Sequence, residues 1–227
     1  ADCDWVIEAI IENLDIKKNL FDRVEKFRKP GSLISSNTSG IPIALMSEGR
    51  SEDFQKHFCG THFFNPPRYL ELLEIIPGPK TTKEVLNFWE EFGSKTLGKT
   101  ALVAKDTPAF IANRIGVYSI MNAFHLAEKY PVNINDVDAL TGTLLKRQKS
   151  ATFRTSDVVG LDTLAHVAKG LKAACPKDEA RALFEFPKAL NHLLENNFLG
   201  SKSGQGFYKK IKSESGSKIL ALNLNSL

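Results

Sequence analysis

Two ionisable side chains stand in apolar surroundings in the stretch GTHFFNPPRYLELLE, residues 60–74. His62 is followed at once by Phe63 and Phe64, and Glu74 lies within the run LELLEII. A histidine titrates near neutrality, so it can take a proton from an alcohol and later return it. An imidazolium in an apolar site needs a carboxylate facing its other nitrogen, and each pKa unit added by that partner is worth about 1.4 kcal/mol. Glu74 is the candidate partner. The turn NPPRY lets the chain reverse or shift after His62, so that the next strand runs past it. Two neighbouring strand ends would then bring the side chains within hydrogen-bond reach. The residues alone also allow a satisfied core histidine, with Glu74 paired to Arg68 or a lysine.

Other stretches offer polar groups at informative places. SSNTSG, residues 35–40, follows a strand-like run, and ligands gather at such strand ends in parallel sheets. Asn37, Thr38 and Ser39 supply an amide and two hydroxyls there, although turn and helix-cap chemistry uses the same residue types. Asn113 lies early in an apolar helical stretch, PAFIANRIGVYSIM. A buried amide without partners costs on the order of 1–3 kcal/mol, so it serves either a ligand or an interhelix hydrogen bond. KSGQGFY is Gly-rich, but no helix start follows it, as a phosphate loop requires.

The elements that must position these groups follow from periodicity. Asp4–Ala9 reads as a buried strand. Asn13 can cap the helix after it, in which Ile16, Leu20, Val24 and Phe27 recur at helical spacing until Pro30-Gly31. The lysines and arginines of that helix read as a solvated face. SLISSN, HFCGTHFF, YLELLEII and TALVAK read as further strands, and SGIPIALMSEG as the start of a short helix. Thr81 with Glu84 suggests a capping box for a helix carrying Val85, Phe88, Trp89 and Phe92. Strand and helix thus alternate, which predicts an α/β unit with a mainly parallel sheet. At DTPAF the character changes. Thr107 can cap and Pro108 suits a first helical position, so a long helix is expected to run to about Tyr130. Further helices are expected around 134–146, 156–174, 178–184 and 186–197, with only GQGFYKK extended near the end. The expected domains are 1–106 and 107–227.

Composition narrows the function classes. Of 227 residues, 42% are hydrophobic and 25% charged, as in an ordinary soluble protein. A net charge of +4, spread along the chain, gives no nucleic-acid footprint but suits an anionic ligand. No run is apolar enough to predict a membrane span. Cys3, Cys59 and Cys175 are far apart and odd in number, which fits a reducing cytoplasm better than a disulfide or metal framework. The chain opens at Ala1 without methionine and enters DWVIEAI within three residues, as a segment of something longer would.

EAIIENLDIKKNLF, SSNTSG, GTHFFNPPRYLELLEII, KDTPAFIANRI, DVVGLDT and GSKSGQGFYKK occur in this order along almost the whole chain. Together they resemble the L-3-hydroxyacyl-CoA dehydrogenase family, and most closely the dehydrogenase part of bacterial multifunctional β-oxidation proteins. KSATFRTSDVVGLDT and the tail KILALNLNSL, which reads as running on into a linker, point that way. The resemblance implies a partial Rossmann-type NAD-binding domain followed by an all-α C-terminal domain that forms a homodimer. It implies His62 as general base and Glu74 as its partner. Ser39 and Asn113 match positions that hydrogen-bond the substrate, an acyl-CoA thioester. Glu12, Lys17, Ser39, Asn65 and Lys202 match positions that contact the dinucleotide. Read without the resemblance, Glu12, Lys17 and Lys202 are solvated charges and Asn65 a pre-proline turn residue. A fused enoyl-CoA hydratase domain in the parent protein is a further implication.

The chain departs from the family in one respect. Members open with a strand and a G-x-G-x-x-G turn that lets the backbone approach the pyrophosphate at a helix N-terminus. That stretch is missing here, which leaves the Asp4–Ala9 strand an edge without a neighbour. Two readings follow: an NAD-dependent (S)-3-hydroxyacyl-CoA dehydrogenase, or an inert dimerisation and acyl-CoA-binding module that lacks half its nucleotide site. A sister oxidoreductase for another hydroxy acid would not need Ser39, His62, Glu74 and Asn113 together.

Overall fold

The apolar run that opens the chain forms strand β1 (Trp5–Glu8), and the amphipathic stretch after it forms helix α1 (Leu14–Phe27). Asn13 caps α1 by accepting from Ile16 N at 3.1 Å, and Asp15 stands in the first turn, where the helix dipole favours an anion. The computed structural model describes residues 2–213 and 216–227. The chain divides into two units, Ala1–Asn113 and Arg114–Leu227.

The first unit is built on a five-stranded sheet in sequential order, β1, β2 (Leu33–Ser36), β3 (Phe58–Phe63), β4 (Leu72–Pro77) and β5 (Thr100–Val103). β1, β2 and β3 are parallel, β4 runs against β3, and β5 is parallel to β4. Helices α2 (Ile43–Ser47) and α3 (Glu52–His57) connect β2 to β3, and α4 (Lys83–Glu91) precedes β5. Side chains alternate across a strand, so the sheet has two cores. Phe58 and Ile76 face Phe21, Ile34, Ile43, Met46, Phe54 and Phe110. Cys59, Leu73 and Ile75 face Val85 and Trp89. His62 lies two and four residues from Gly60 and Phe58, and Glu74 two residues before Ile76. Both therefore share the Phe21 face. Gly60 is needed there because a Cβ would meet Ile43 Cδ1 at 2.9 Å.

Several expectations are corrected. Lys17 is buried, not solvated, and so is the side chain of Arg28. Arg50 lies over the rings of Phe21 and Phe54 and bonds Met46 O and Lys18 O. The cap of α4 is Thr82, accepting from Val85 N. Thr81 instead accepts from Gly78 N and donates to Phe58 O. Helix α3, not anticipated, is capped by Ser51, with Glu52 and Asp53 in its first turn. The long helix, α5 (Ala112–Lys129), starts four residues after Pro108. Ala109 and Phe110 adopt φ of +59° and +51°, left-handed values that a helix cannot include. Thr107 therefore caps nothing.

The second unit holds α6 (Ile134–Thr141), α7 (Phe153–Val159), α8 (Leu161–Ala174) and α9 (Lys188–Glu195). The single helix expected over 156–174 is split at Gly160, whose φ is +100°. The helix expected over 178–184 is one 3-10 turn, Arg181–Phe184. Phe124, Phe153 and Phe207 pack together with ring centroids 4.7–4.8 Å apart. The unit is not wholly helical. β6 (Tyr208–Ser213) pairs antiparallel with β7 (Gly216–Ala221), so the start of the KILAL run is a strand. Asp157 Oδ1 and Oδ2 accept from Phe207 N and Tyr208 N, holding GQGFY against α7. Burial lifts the Asp157 carboxyl to a pKa of about 6 against those hydrogen bonds. No described helix is long and apolar enough to cross a membrane.

Candidate active site

The antiparallel pairing of β3 and β4 sets His62 directly opposite Glu74. Opposed residues in such a ladder project to one face, and His62 Nδ1 lies 2.7 Å from Glu74 Oε2. The reversal expected from NPPRY thus delivers the pair. Neither Arg68 nor a lysine takes Glu74. Glu74 is fully buried and His62 only 3% exposed. The carboxylate can only accept, so Nδ1 carries the hydrogen and Nε2 holds the free lone pair of a base. The rings of Phe64 and Phe110 flank the imidazole at centroid distances of 4.4 and 5.6 Å.

The other oxygen of Glu74 has a separate task. Oε1 accepts from Ile111 N at 3.0 Å and Ala112 N at 2.9 Å, so it caps the N-terminus of α5. The left-handed turn at Ala109 and Phe110 aims those N–H groups at it. Burial opposes the charge on Glu74, but the His62 hydrogen bond and the two backbone donors prevail and hold its carboxyl below the usual glutamate range. The pair therefore sets an imidazole against an ionised carboxylate, which supplies the counter-charge for an imidazolium.

Beside it, the ends of β1 and β2 carry a polar network. Glu8 Oε1 accepts from Lys17 Nζ at 2.7 Å and from Ile10 N at 2.6 Å, and Oε2 accepts from Ser36 Oγ. Lys17 Nζ also lies 3.3 Å from Ile10 O and 3.3 Å from Glu12 Oε2. An ammonium has three donors, and these acceptors take all of them. Glu12 Oε1 gathers Thr38 Oγ1, Ser39 N and Gly40 N at 2.6, 2.9 and 3.1 Å. Burial works against its charge, yet Thr38, Lys17 and the Ser39 N–H keep its carboxyl low. The Glu12 side chain remains 40% exposed, so it can accept further donors.

The network makes a sharp prediction. Lys17→Met leaves the Glu8 carboxylate buried without its cation, which should cost about 3–5 kcal/mol. Urea unfolding near neutral pH reads this directly, and a change under about 1 kcal/mol would contradict the buried ion pair.

The fold brings some of the candidate residues together and leaves others apart. His62 and Glu74 meet, and Glu12, Lys17 and the backbone of Ser39 meet. Ser39 is exposed at the end of β2, and Asn65 is exposed just past β3. Asn113 follows the two residues bound by Glu74, is half-buried, and has no interhelix hydrogen bond among the described residues. Lys202 lies in the second unit, bonded to Asp162 at 2.6 Å. Glu8 was not anticipated, though a charge inside the apolar run WVIEAI was a visible signal.

Residues 1–107 match the family profile described as "3-hydroxyacyl-CoA dehydrogenase, NAD binding domain", and residues 110–210 match "3-hydroxyacyl-CoA dehydrogenase, C-terminal domain". The chain is 53% identical over 209 residues to a "Probable 3-hydroxyacyl-CoA dehydrogenase" of Bacillus subtilis, which takes in 92% of this chain and 26% of that protein. It is 53% identical over 213 residues to a protein of the same description from Deinococcus radiodurans, with 94% of this chain and 61% of that protein covered. The chain thus spans about a quarter and about three fifths of these relatives. Among solved structures, M. tuberculosis FadB2 superposes with a TM-score of 0.81 at 31% identity, covering 92% of this chain and 71% of that one.

Proposed function

Because the chain belongs to the 3-hydroxyacyl-CoA dehydrogenase family, we propose that the protein oxidises the 3-hydroxyl of an (S)-3-hydroxyacyl-CoA to a ketone, with NAD as the hydride acceptor. The observation that carries this reading is the buried His62–Glu74 pair, 2.7 Å apart, with its basic nitrogen unused by Glu74. His62 Nε2 takes the hydroxyl proton, and Glu74 holds the Nδ1–H tautomer and stabilises the imidazolium. The Ser39 hydroxyl and the Asn113 amide orient the 3-oxygen and the thioester carbonyl, which is a positional contribution to the rate.

The residues present fit one side of a dinucleotide. Glu12 keeps an exposed carboxylate for ribose hydroxyls, and Ser39 and Asn65 offer exposed polar groups nearby in sequence to the strand ends. When bound, NAD accepts the hydride that leaves C3. Lys17, with its donors all engaged, acts through Glu12. Lys202, in the second unit, is a dinucleotide contact on the resemblance alone.

Partners follow the same reading. The substrate is an acyl-CoA thioester, whose phosphates suit the net charge of +4. A homodimer would form through the helical unit, where Leu140, Leu144 and Leu145 are more than half exposed. A fused enoyl-CoA hydratase would supply the hydroxyacyl substrate, and the length of the Bacillus subtilis relative leaves room for such a domain. The three unpaired cysteines suit a reducing compartment such as the cytoplasm.

The test is NAD reduction by the intact protein with (S)- and (R)-3-hydroxybutyryl-CoA as separate substrates. Turnover of the S form alone is expected. Equal rates, or no turnover with either, would overturn the assignment.

A further inference from the structure

We propose that Asn37 is a positioning residue for the His62 base, a role that rests on the reaction proposed above. Asn37 follows the last residue of β2. Its N–H donates to Glu8 O at 2.8 Å and so extends the β1–β2 ladder one step beyond Ser36. Its side-chain Oδ1 accepts from Phe63 N at 2.9 Å, and Phe63 directly follows His62. A peptide N–H can only donate, so this bond fixes the amide with its oxygen toward β3.

The register shows why the bond matters. Pairing between β2 and β3 ends at Ser36 opposite Gly60, two residues short of His62. On the opposite side, β4 pairs with β3 as far as His62 with Glu74 and Phe63 with Leu73. The tip of β3 that carries the base is thus held by a ladder on one side. On the other side the Asn37 amide takes the place of the missing rung.

Asn37 also joins that tip to the loop bearing Ser39. Thr38 N donates to Ser36 Oγ at 3.2 Å, and Thr38 Oγ1, Ser39 N and Gly40 N converge on Glu12. Each backbone N–H from Asn37 to Gly40 is therefore hydrogen-bonded. One side-chain hydrogen bond fastens this loop to the strand of the base, and so sets the spacing between His62 Nε2 and the Ser39 hydroxyl. Reaction rates depend steeply on such spacing, since a misplacement of about 1 Å can cost on the order of 10²-fold.

The test uses two variants of the intact protein. Asn37→Ala should lower kcat about tenfold while KM for the acyl-CoA moves less than about twofold. Asn37→Asp keeps the acceptor and should restore most of kcat. Its added charge favours imidazolium, so the acidic limb of the kcat/KM profile should rise by about half a pH unit. NMR titration of the His62 ring, without substrate, should show a displaced signal in the alanine variant and a raised midpoint in the aspartate variant. Wild-type kcat and ring signals in Asn37→Ala would overturn the proposal. So would two variants equally slow and equally destabilised with an unmoved His62 midpoint. Wild-type protein without turnover would sink the proposed reaction instead, and the ring titration would still decide the role of Asn37.

Discussion

His62→Gln in the intact protein is expected to lower kcat by about 10²–10⁴-fold, the range general-base removal usually costs. The substrate KM should change only a few-fold, because in the proposed reaction the imidazole acts on the proton and not on the acyl or CoA parts. Glutamine suits the test because its amide can donate to Glu74 Oε2, leaving that buried carboxylate partnered. The α5 cap, which uses the other oxygen, stays in place. A slow, folded variant with near-normal KM is therefore the expected phenotype. An unchanged kcat would remove His62 from the chemistry.

Glu74→Gln is expected to cut kcat by about 10²-fold or more through the wrong tautomer. The glutamine oxygen can still accept from Ile111 N and Ala112 N, so α5 keeps its start. The glutamine –NH₂ then faces Nδ1 of His62 as a donor. Nδ1 must accept, the hydrogen moves to Nε2, and the lone pair that takes the substrate proton is lost. The imidazolium also loses its counter-charge. A pH effect accompanies this. The Glu74 carboxyl is held below the usual range, so its folded pKa is depressed. Its stabilising contribution is complete above the ordinary glutamate pKa of about 4.3 and is lost as pH falls through the depressed value. Acid unfolding of Glu74→Gln should lack that component. A variant with wild-type kcat would refute the tautomer argument, and an identical acid transition would refute the ionised carboxylate.

The sequence made Glu74 legible because an ionisable group inside an apolar strand requires a partner, and the turn before it allowed one. The same logic applied to Glu8, whose partner Lys17 sits nine residues away on α1. It was hidden because a lysine in a charged helix reads as solvated. Long-range caps were less accessible. Glu74 reaches Ala112 across 38 residues, Asp106 reaches Ala44 across 62, and Asp138 reaches Phe153 across 15. Periodicity describes a helix and its neighbours in sequence, not the carboxylate that another element brings to its first turn. The start of α5 escapes periodicity for that reason. Thr107 and Pro108 have the right types for a helix start, while the cap comes from Glu74 and the chain turns left-handed at Ala109 and Phe110. The site resisted reading in the same way. Its members are short in reach but distant in sequence, and residue chemistry alone left Ser39 and Asn113 between a ligand role and ordinary turn or interhelix bonding.

The opposed placement of His62 and Glu74 has a consequence for how such a chain tolerates lengthening. An extra residue in the connection between Phe63 and Leu72 would be absorbed on the surface. One extra residue between Glu74 and Ile75, with the later rungs kept, would move the acid to the rung now held by Leu73, on the Trp89 side. The sheet could still assemble, and His62 would lose its carboxylate partner. In this fold the arithmetic of even and odd positions guards the chemistry more strictly than the bulk of any single side chain.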